Sequence, residues 1–163
     1  MKMIRISTVI IVVTFLLTIL ANTAIAQDLY VVASKATQQA SQNWAGFLQS
    51  QEISLRLLTP EEFTNHKNEK YIIIMGGIDE PQGVKGLLKE VLTEAELQWI
   101  SKEGNGGMYL KSDVWAMGQS IIIFAGSNWK TTEQARKAAK EEWFEMLANW
   151  FDLEVSGPAL PAY

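Results

Sequence analysis

Two unbroken apolar runs constrain the fold more than any other feature of this chain. They are Ile-Ile-Ile-Met at 72–75 and Ile-Ile-Ile-Phe at 121–124. A strand with one face in water alternates apolar and polar residues, whereas a strand buried on both faces does not alternate. Both runs are short, rich in β-branched residues and soon followed by glycine, which favours strands over helix segments. They therefore predict central strands of a parallel sheet that is covered on both sides.

The rest of the chain supplies further strands and the helices between them. Strands are predicted over 29–34, 53–58, 70–77, 108–116 and 120–126. Helices are predicted over 36–47, 81–92 and 93–102, and from Thr131 or Thr132 onward. The last two strands are joined only by Met117-Gly118-Gln119, which requires a hairpin. We predict an α/β fold: a single three-layer domain with a mostly parallel sheet of about five strands, one antiparallel hairpin strand and helices on both faces.

Apolar residues at helical spacing predict which helix faces pack on the sheet. In the first helix they are Ala36, Ala40, Trp44 and Phe47. In the last helix they are Ala135, Ala139, Trp143, Met146 and Trp150. Thr131 and Gln134 are spaced as a capping box, so the last helix is expected to begin beside them.

The beginning of the chain has the pattern of a secretory signal peptide. Lys2 and Arg5 precede an apolar run at 9–20, and Ala24 and Ala26 form an A-x-A arrangement. Cleavage is expected after Ala26. The alternative is a retained membrane anchor, because the run is close to the length at which a helix begins to span a bilayer. The expected organisation is a signal peptide at 1–26, an α/β domain at 27–152 and a flexible tail at 153–163.

Composition argues against several kinds of function. The chain has 14 basic and 18 acidic residues and a net charge of −4, which becomes −6 when the segment with Lys2 and Arg5 is removed. Such a surface repels phosphate backbones, so nucleic acid is not an expected partner. The chain has no cysteine, and its one histidine is His66. Thiol catalysis, a Ser/His/Asp triad and a cysteine or histidine-rich metal site therefore lack residues, and we expect no metal and no cofactor.

Ligands of open α/β sheets bind beyond the carboxyl ends of the strands, which selects the loops at 34–35, 76–80 and 126–132. The candidate binding residues are Gly76, Gly77, Asp79, Glu80, Gly126, Ser127, Asn128, Trp129, Thr131 and Thr132. Glycines let a ligand approach the backbone, carboxylates serve as acid, base or cation ligand, and amides at a helix start hold anions. The structural alternatives are turn glycines and helix caps. Trp129 either binds a sugar or a partner, or folds back over the helix start.

Catalytic motifs are scarce. The segment Gly-Gly-Ile-Asp-Glu-Pro lacks the third glycine of the dinucleotide fingerprint and the Gly-Lys-Ser/Thr ending of a P-loop. The remaining hydrolytic option is a carboxylate pair, either Asp79 with Asp113 or Glu80 with Glu133. A phosphate or cation site at the start of the last helix is a further option, and it requires converging amides between residues 126 and 133. No residue is assigned a catalytic role.

One family resemblance is carried by the second half of the chain. The order YIIIMGGIDEP, a helical segment and GGMYLKSDVWAMGQSIIIFAGSNWKTTEQARKAA resembles a small α/β module of archaeal S-layer and S-layer-like envelope proteins. The matching positions are Gly76, Gly77, Trp115, Ala125, Gly126 and the segment 132–135. The non-catalytic α/β domains that accompany exported glycosidases are a weaker resemblance. Both resemblances imply a module without chemistry of its own.

The expected function is that of an exported, non-catalytic, envelope-associated binding or structural module. It would recognise a protein or a glycan through the loops at the carboxyl edge of the sheet, outside the cytoplasm. The alternative is a small extracytoplasmic hydrolase or carbohydrate-active enzyme that uses Asp79 or Glu80. The membrane is an expected partner only if the signal segment is retained, and the sequence leaves the ligand and the oligomeric state open.

Overall fold

The strands form one five-stranded sheet in a computed structural model that describes residues 27–80 and 83–153. They are β1 (Asp28–Ala33), β2 (Ser54–Leu58), β3 (Tyr71–Gly77), β4 (Gly106–Ser112) and β5 (Ser120–Gly126). Their order across the sheet is β2-β1-β3-β5-β4, with β4 antiparallel to β5 and every other pair parallel. The predicted signal peptide and nearly all of the predicted tail lie outside the described residues.

Helices cover both faces of this sheet. They are α1 (Lys35–Ala40), α2 (Gln42–Ser50), α3 (Pro60–Phe63), α4 (Val84–Val91), α5 (Glu94–Ile100), α6 (Trp129–Ala138) and α7 (Lys140–Phe151), with a 3₁₀ turn at Thr64–His66. Within the described part of the chain, none of these helices is long and apolar enough to cross a membrane. The predicted α/β architecture, with one mostly parallel sheet and one antiparallel strand, is confirmed.

The two apolar runs lie at the centre of the sheet, where β3 pairs with β5. Ile72, Ile74, Ile121 and Ile123 point to the face covered by α3, α4 and α5. Ile73, Met75, Ile122 and Phe124 point to the face covered by α2 and α7, where Trp44 and Trp143 pack edge to face. All eight side chains are fully buried. Burial of large apolar side chains on both faces makes these strands the core of the domain.

The hairpin differs in detail from its prediction. β4 ends at Ser112 rather than at residue 116, and a seven-residue loop, 113–119, connects it to β5. Asp113 adopts a positive φ of 54°, and its carboxylate accepts a hydrogen bond from the Gly118 amide at 2.5 Å. The buried Gln119 side chain also accepts from the Trp115 amide and donates to the Lys67 and Glu69 carbonyls. These side chains stabilise a loop where apolar spacing alone predicts continued strand.

Two helix predictions are also corrected. The first helix is interrupted at Ser41, whose φ of −104° and ψ of 12° leave the helical region. The buried face also differs from the predicted one, since Thr37, Trp44 and Leu48 are buried while Ala36 and Ala40 are exposed.

The last predicted helix is two helices, and it begins earlier than its sequence indicates. α6 starts at Trp129 because Asn128, rather than Thr131, is its cap. Thr131 lies three residues after the cap and closes the capping box. The break between α6 and α7 falls at Ala139.

Two glycines allow close approaches at the carboxyl ends of β3 and β5. A methyl group at Gly77 would lie 2.6 Å from the carbonyl carbon of Asn128, and one at Gly126 would lie 2.8 Å from the Cβ of Thr131. Real Cβ atoms do not approach other atoms this closely. Gly77 is therefore required by the contact between the loops after β3 and β5, and Gly126 is required by the packing of the start of α6 against the end of β5.

We predict that Gly77→Ala lowers the free energy of unfolding by about 1–3 kcal/mol, because the added methyl group displaces a neighbouring backbone. The matched control is Gly86→Ala in α4, where a methyl group meets no atom within 4 Å. It should raise stability by about 0.5–1 kcal/mol through helix propensity. Urea unfolding with unchanged m-values measures both. Equal effects at the two positions would contradict the assigned contact.

Candidate functional site

Backbone hydrogen bonds continue past the ends of the central strands and join the loops there. The Ile78 amide donates to the Gly126 carbonyl at 2.9 Å, and the Asp79 amide donates to the Ser127 carbonyl at 3.2 Å. The Ser127 amide donates in turn to the Asn105 carbonyl at 3.0 Å. We call the loops 77–80, 101–105 and 126–130 the carboxyl rim. Their mutual bonding holds the rim as a continuation of the sheet.

The backbone groups at the start of α6 are hydrogen-bonded to side chains of the same segment. The Asn128 carboxamide oxygen accepts from the Lys130 and Thr131 amides at 3.0 and 3.2 Å. The Thr131 hydroxyl accepts from the Asn128 amide at 3.0 Å, and the Thr132 hydroxyl donates to the Asn128 carbonyl at 3.0 Å. Thr131, Thr132 and Ser127 are buried. The amides that a phosphate site would need are therefore largely occupied by internal acceptors.

Glu80 binds inside the protein rather than projecting from it. Its carboxylate accepts from the Gly77 amide at 2.7 Å, from the Thr37 hydroxyl at 3.1 Å and from the Ser34 hydroxyl. Ser34 caps α1, so Glu80 ties the loop after β3 to the helix that follows β1. Those two loops leave the sheet toward opposite faces, which makes this the switch point where doubly wound folds bind ligands. In this protein a side chain of the chain itself fills that position.

Glu133 is also held by internal partners. Its carboxylate accepts from the Ser41 hydroxyl at 2.6 Å and from the Arg136 guanidinium at 2.8 Å. Both charged side chains are buried, and Arg136 lies 5.3 Å from the centre of the Trp44 ring. In a buried pair of this kind, each side chain provides hydrogen-bond partners for the other.

The structure separates one of the two predicted carboxylate pairs and brings the other near a common segment. Asp113 lies in the β4–β5 loop at the amino edge of the sheet, whereas Asp79 is bonded to Ser127 at the carboxyl edge. The seven-residue strand between them is about 20 Å long, so the proposed pairing of Asp79 with Asp113 is wrong.

Glu80 and Glu133 do approach the same segment. They bind Thr37 and Ser41, which stand four residues apart, about one helical turn. Each carboxylate already accepts hydrogen bonds from at least two residues. A cavity beside their partners Thr37 and Ser41, which Trp44 and Met75 also line, measures about 10 Å³. This volume holds one water molecule, whereas ligand sites measure about 300–1,000 Å³.

The groups left free on the rim are aromatic and polar. Asp79 is exposed, and Trp129, the first residue of α6, keeps 42% of its surface exposed. The Lys130 ammonium lies 5.8 Å from the centre of the Trp129 ring. Of the predicted site residues, the structure therefore displays Trp129 and Asp79, while the glycines, Glu80, Ser127 and the threonines serve the packing of the rim.

Sequence reasoning missed a second tryptophan. Trp99 of α5 is 53% exposed, and its carbonyl accepts a hydrogen bond from the Asn105 side chain at 3.0 Å. The sequence does indicate the exposure of Trp99, because Leu97 and Ile100 form the apolar face of α5 and Trp99 lies outside that face.

The role of the site is inferred from its geometry, because comparisons with known proteins identify no relative. No protein-family model, no curated protein and no solved structure matches this chain. Among residues 27–80 and 83–153, no group of three or more histidine, aspartate or glutamate side chains is placed to hold a metal ion.

Adjacent carboxylates provide a test of the internal role of Glu80. We predict that Glu80→Gln lowers the free energy of unfolding by about 1–3 kcal/mol, because a carboxamide presents an N–H₂ group where a donor already points. Asp79→Asn, on the exposed neighbour, should change stability by less than about 0.5 kcal/mol. Urea unfolding of both variants measures the difference. A similar small effect at both positions would show that Glu80 does not hold α1 to the rim.

Proposed function

We propose that this chain is an exported, non-catalytic, S-layer-like envelope module that recognises a glycan or a protein through its carboxyl rim. The observation that carries the proposal is the display of Trp129 on a rigid rim. An exposed tryptophan ring contributes strongly to binding when a partner covers it.

The rim supports recognition because its geometry is fixed before a ligand arrives. The Asn128 cap fixes the first turn of α6. The Ile78 and Asp79 amides hydrogen-bond the loop after β3 to the loop after β5. A surface that is already ordered loses little conformational entropy on binding. Asp79 adds an exposed hydrogen-bond acceptor on the same rim.

The same contacts favour binding over hydrolysis. A glycosidase needs one carboxyl group that can donate a proton and a second that is free to act on the substrate. Glu80 is committed to Gly77, Thr37 and Ser34. Glu133 is committed to Arg136 and Ser41. Of the carboxylates in the two predicted pairs, Asp79 is the one left exposed at the carboxyl rim, and it does not make either predicted pair.

The envelope location is proposed from the sequence. The signal-peptide pattern of residues 1–26 supports export. The resemblance to S-layer-like modules rests on Gly76, Gly77, Ala125 and Gly126, together with Trp115 and the segment 132–135. In the structure the first four of these residues lie in the paired ends of β3 and β5, where the rim begins.

We predict that the purified protein is retained by the envelope fraction of its own source and that Trp129→Ala weakens this binding by about tenfold or more, because the main aromatic contact is lost. The matched control is Met117→Ala. Met117 is 98% exposed but lies in the β4–β5 loop at the opposite edge of the sheet. Sedimentation of the protein with the envelope fraction measures each affinity.

Two results would contradict the proposed function. Equal retention of the wild type and Trp129→Ala would show that the rim is not the binding surface. Release of soluble sugars or peptides from the envelope fraction, abolished by Asp79→Asn, would favour the hydrolase alternative.

A further inference from the structure

β4 is one of the two edge strands of the sheet, and β2 is the other. We propose that β4 pairs antiparallel with β4 of a second copy of this chain, so that two five-stranded sheets join into one. The inference is independent of the proposed function, because the residues of β4 lie outside the loops of the carboxyl rim.

Half of the backbone groups of β4 point away from β5. The Ser127 amide donates to the Asn105 carbonyl, and the Asp113 amide donates to the Gln119 carbonyl. Residues that bond to a neighbouring antiparallel strand alternate with residues that face away from it, so the even-numbered residues of 106–112 direct their N–H and C=O groups outward. Within the described part of the chain, no hydrogen bond reaches these outward groups. They form a template to which another strand can add.

β4 lacks the features that protect edge strands from pairing, which are short length, exposed charge, proline and bulges. It has seven residues, no proline and a continuous register with β5. Its one charged side chain, Lys111, is mostly buried, and its ammonium binds Glu96 of α5 at 2.8 Å. Burial alone would raise the pKa of Glu96, but hydrogen bonds from Lys111 and Thr93 outweigh it and hold that pKa below its ordinary value. The ion pair therefore persists at neutral pH.

The opposite edge strand, β2, is protected. It has five residues, and its largely exposed Arg56 side chain binds Asp28 at 2.6 Å. At its end, the Leu58 carbonyl accepts a hydrogen bond from the Gln38 side chain at 3.1 Å. The contrast between the two edges selects β4 as the strand that pairs.

The side chains of β4 are complementary to those of a second copy. Pairing over the whole strand places Tyr109 on the two-fold axis and Leu110 opposite Met108 of the second copy. Residues 108 and 110 both direct their backbone groups outward, so they form hydrogen-bonded pairs in this register. Met108 packs on the face covered by α2 and α7, and Leu110, two residues later, lies on the same face. Each exposed Leu110 side chain is thereby covered by an apolar neighbour.

This register also brings no like charges together. Lys111 lies opposite Gly107 of the second copy, which has no side chain, whereas like charges directly opposite one another destabilise paired strands. The pairing is isologous, so every favourable contact occurs twice. A single foreign strand does not provide that repetition, which favours a second copy as the occupant.

Antiparallel pairing determines how the two carboxyl rims are arranged. β4 begins opposite Gly126, beside the rim, and ends opposite Ser120 at the amino edge of the sheet. The second β4 runs in the reverse direction. The rims of the two copies therefore face opposite ways, with one rim at each end of the joined sheet.

Sedimentation equilibrium of the purified protein over a range of concentrations tests the pairing. We expect a monomer–dimer equilibrium. Leu110→Lys should weaken dimerisation by about tenfold or more, because a charge replaces an apolar contact that occurs twice. The matched control is Leu57→Lys on β2, since the two leucines are 46% and 43% exposed and both lie on edge strands. It should leave dimerisation unchanged, and urea unfolding checks that both variants fold.

Disulfide cross-linking tests the register by an independent readout. The chain has no cysteine, so Met108→Cys and Leu110→Cys each introduce a single thiol. Hydrogen-bonded pairs in antiparallel strands have Cα atoms about 5.5 Å apart, within the range that a disulfide bridges. An oxidised mixture of the two variants should therefore cross-link. Neither variant alone should do so, because identical positions are displaced by about 7 Å along the strand.

Three results would overturn the inference. The first is a monomer at every concentration. The second is a dimer that Leu110→Lys and Leu57→Lys affect equally. The third is a mixture that fails to cross-link, or a Met108→Cys variant that cross-links with itself. None of these results concerns retention by the envelope fraction, so the proposed function stands or fails on the Trp129→Ala comparison alone.

Discussion

The close approach of two backbone segments, at Gly77 and at Asn128, is the constraint on which the rest of the carboxyl rim depends. It brings the loop after β3 within hydrogen-bond distance of the loop after β5, so that the Ile78 and Asp79 amides find carbonyl partners beyond the sheet. Any residue larger than glycine at position 77 would separate the loops. The rim is therefore an extension of the buried β3–β5 pair, and its rigidity derives from the most stable part of the core.

Three hydroxyl groups of one segment use the carboxylates that would otherwise be candidates for chemistry. Ser34 and Thr37 bind Glu80, and Ser41 binds Glu133. Together these bonds join α1 and its flanking residues to the loop after β3 and to α6. Because charged acceptors form the stronger hydrogen bonds, these contacts stabilise the arrangement of the loops. The consequence for function is that Glu80 and Glu133 hold the rim together from inside, whereas the Trp99 and Trp129 indoles are exposed to solvent.

Much of the fold was predictable because a strand that is buried on both faces appears in the sequence as an unbroken apolar run. The runs 72–75 and 121–124 admit few alternatives, and the short connection before β5 requires an antiparallel neighbour. The details that failed depend on competition between similar local signals. Asn128 and Thr131 are both good caps, and only the tertiary position of the loop selects Asn128. The interruption at Ser41 coincides with its bond to Glu133, which is 92 residues away. No local pattern contains that contact, and the same holds for the proximity of Trp99 to the rim through Asn105.

The central claim is that the solvent-facing surface of the carboxyl rim recognises the ligand. The most direct measurement is an NMR titration of the ¹⁵N-labelled protein with a soluble extract of its own envelope, following the backbone amides and the indole N–H groups. The account predicts shifts at the Trp129 indole and at the amides of residues 127–130, with the Trp115 indole of the amino edge unchanged. Shifts centred on the β4–β5 loop, or on Thr37, Ser41 and Glu80, would contradict it.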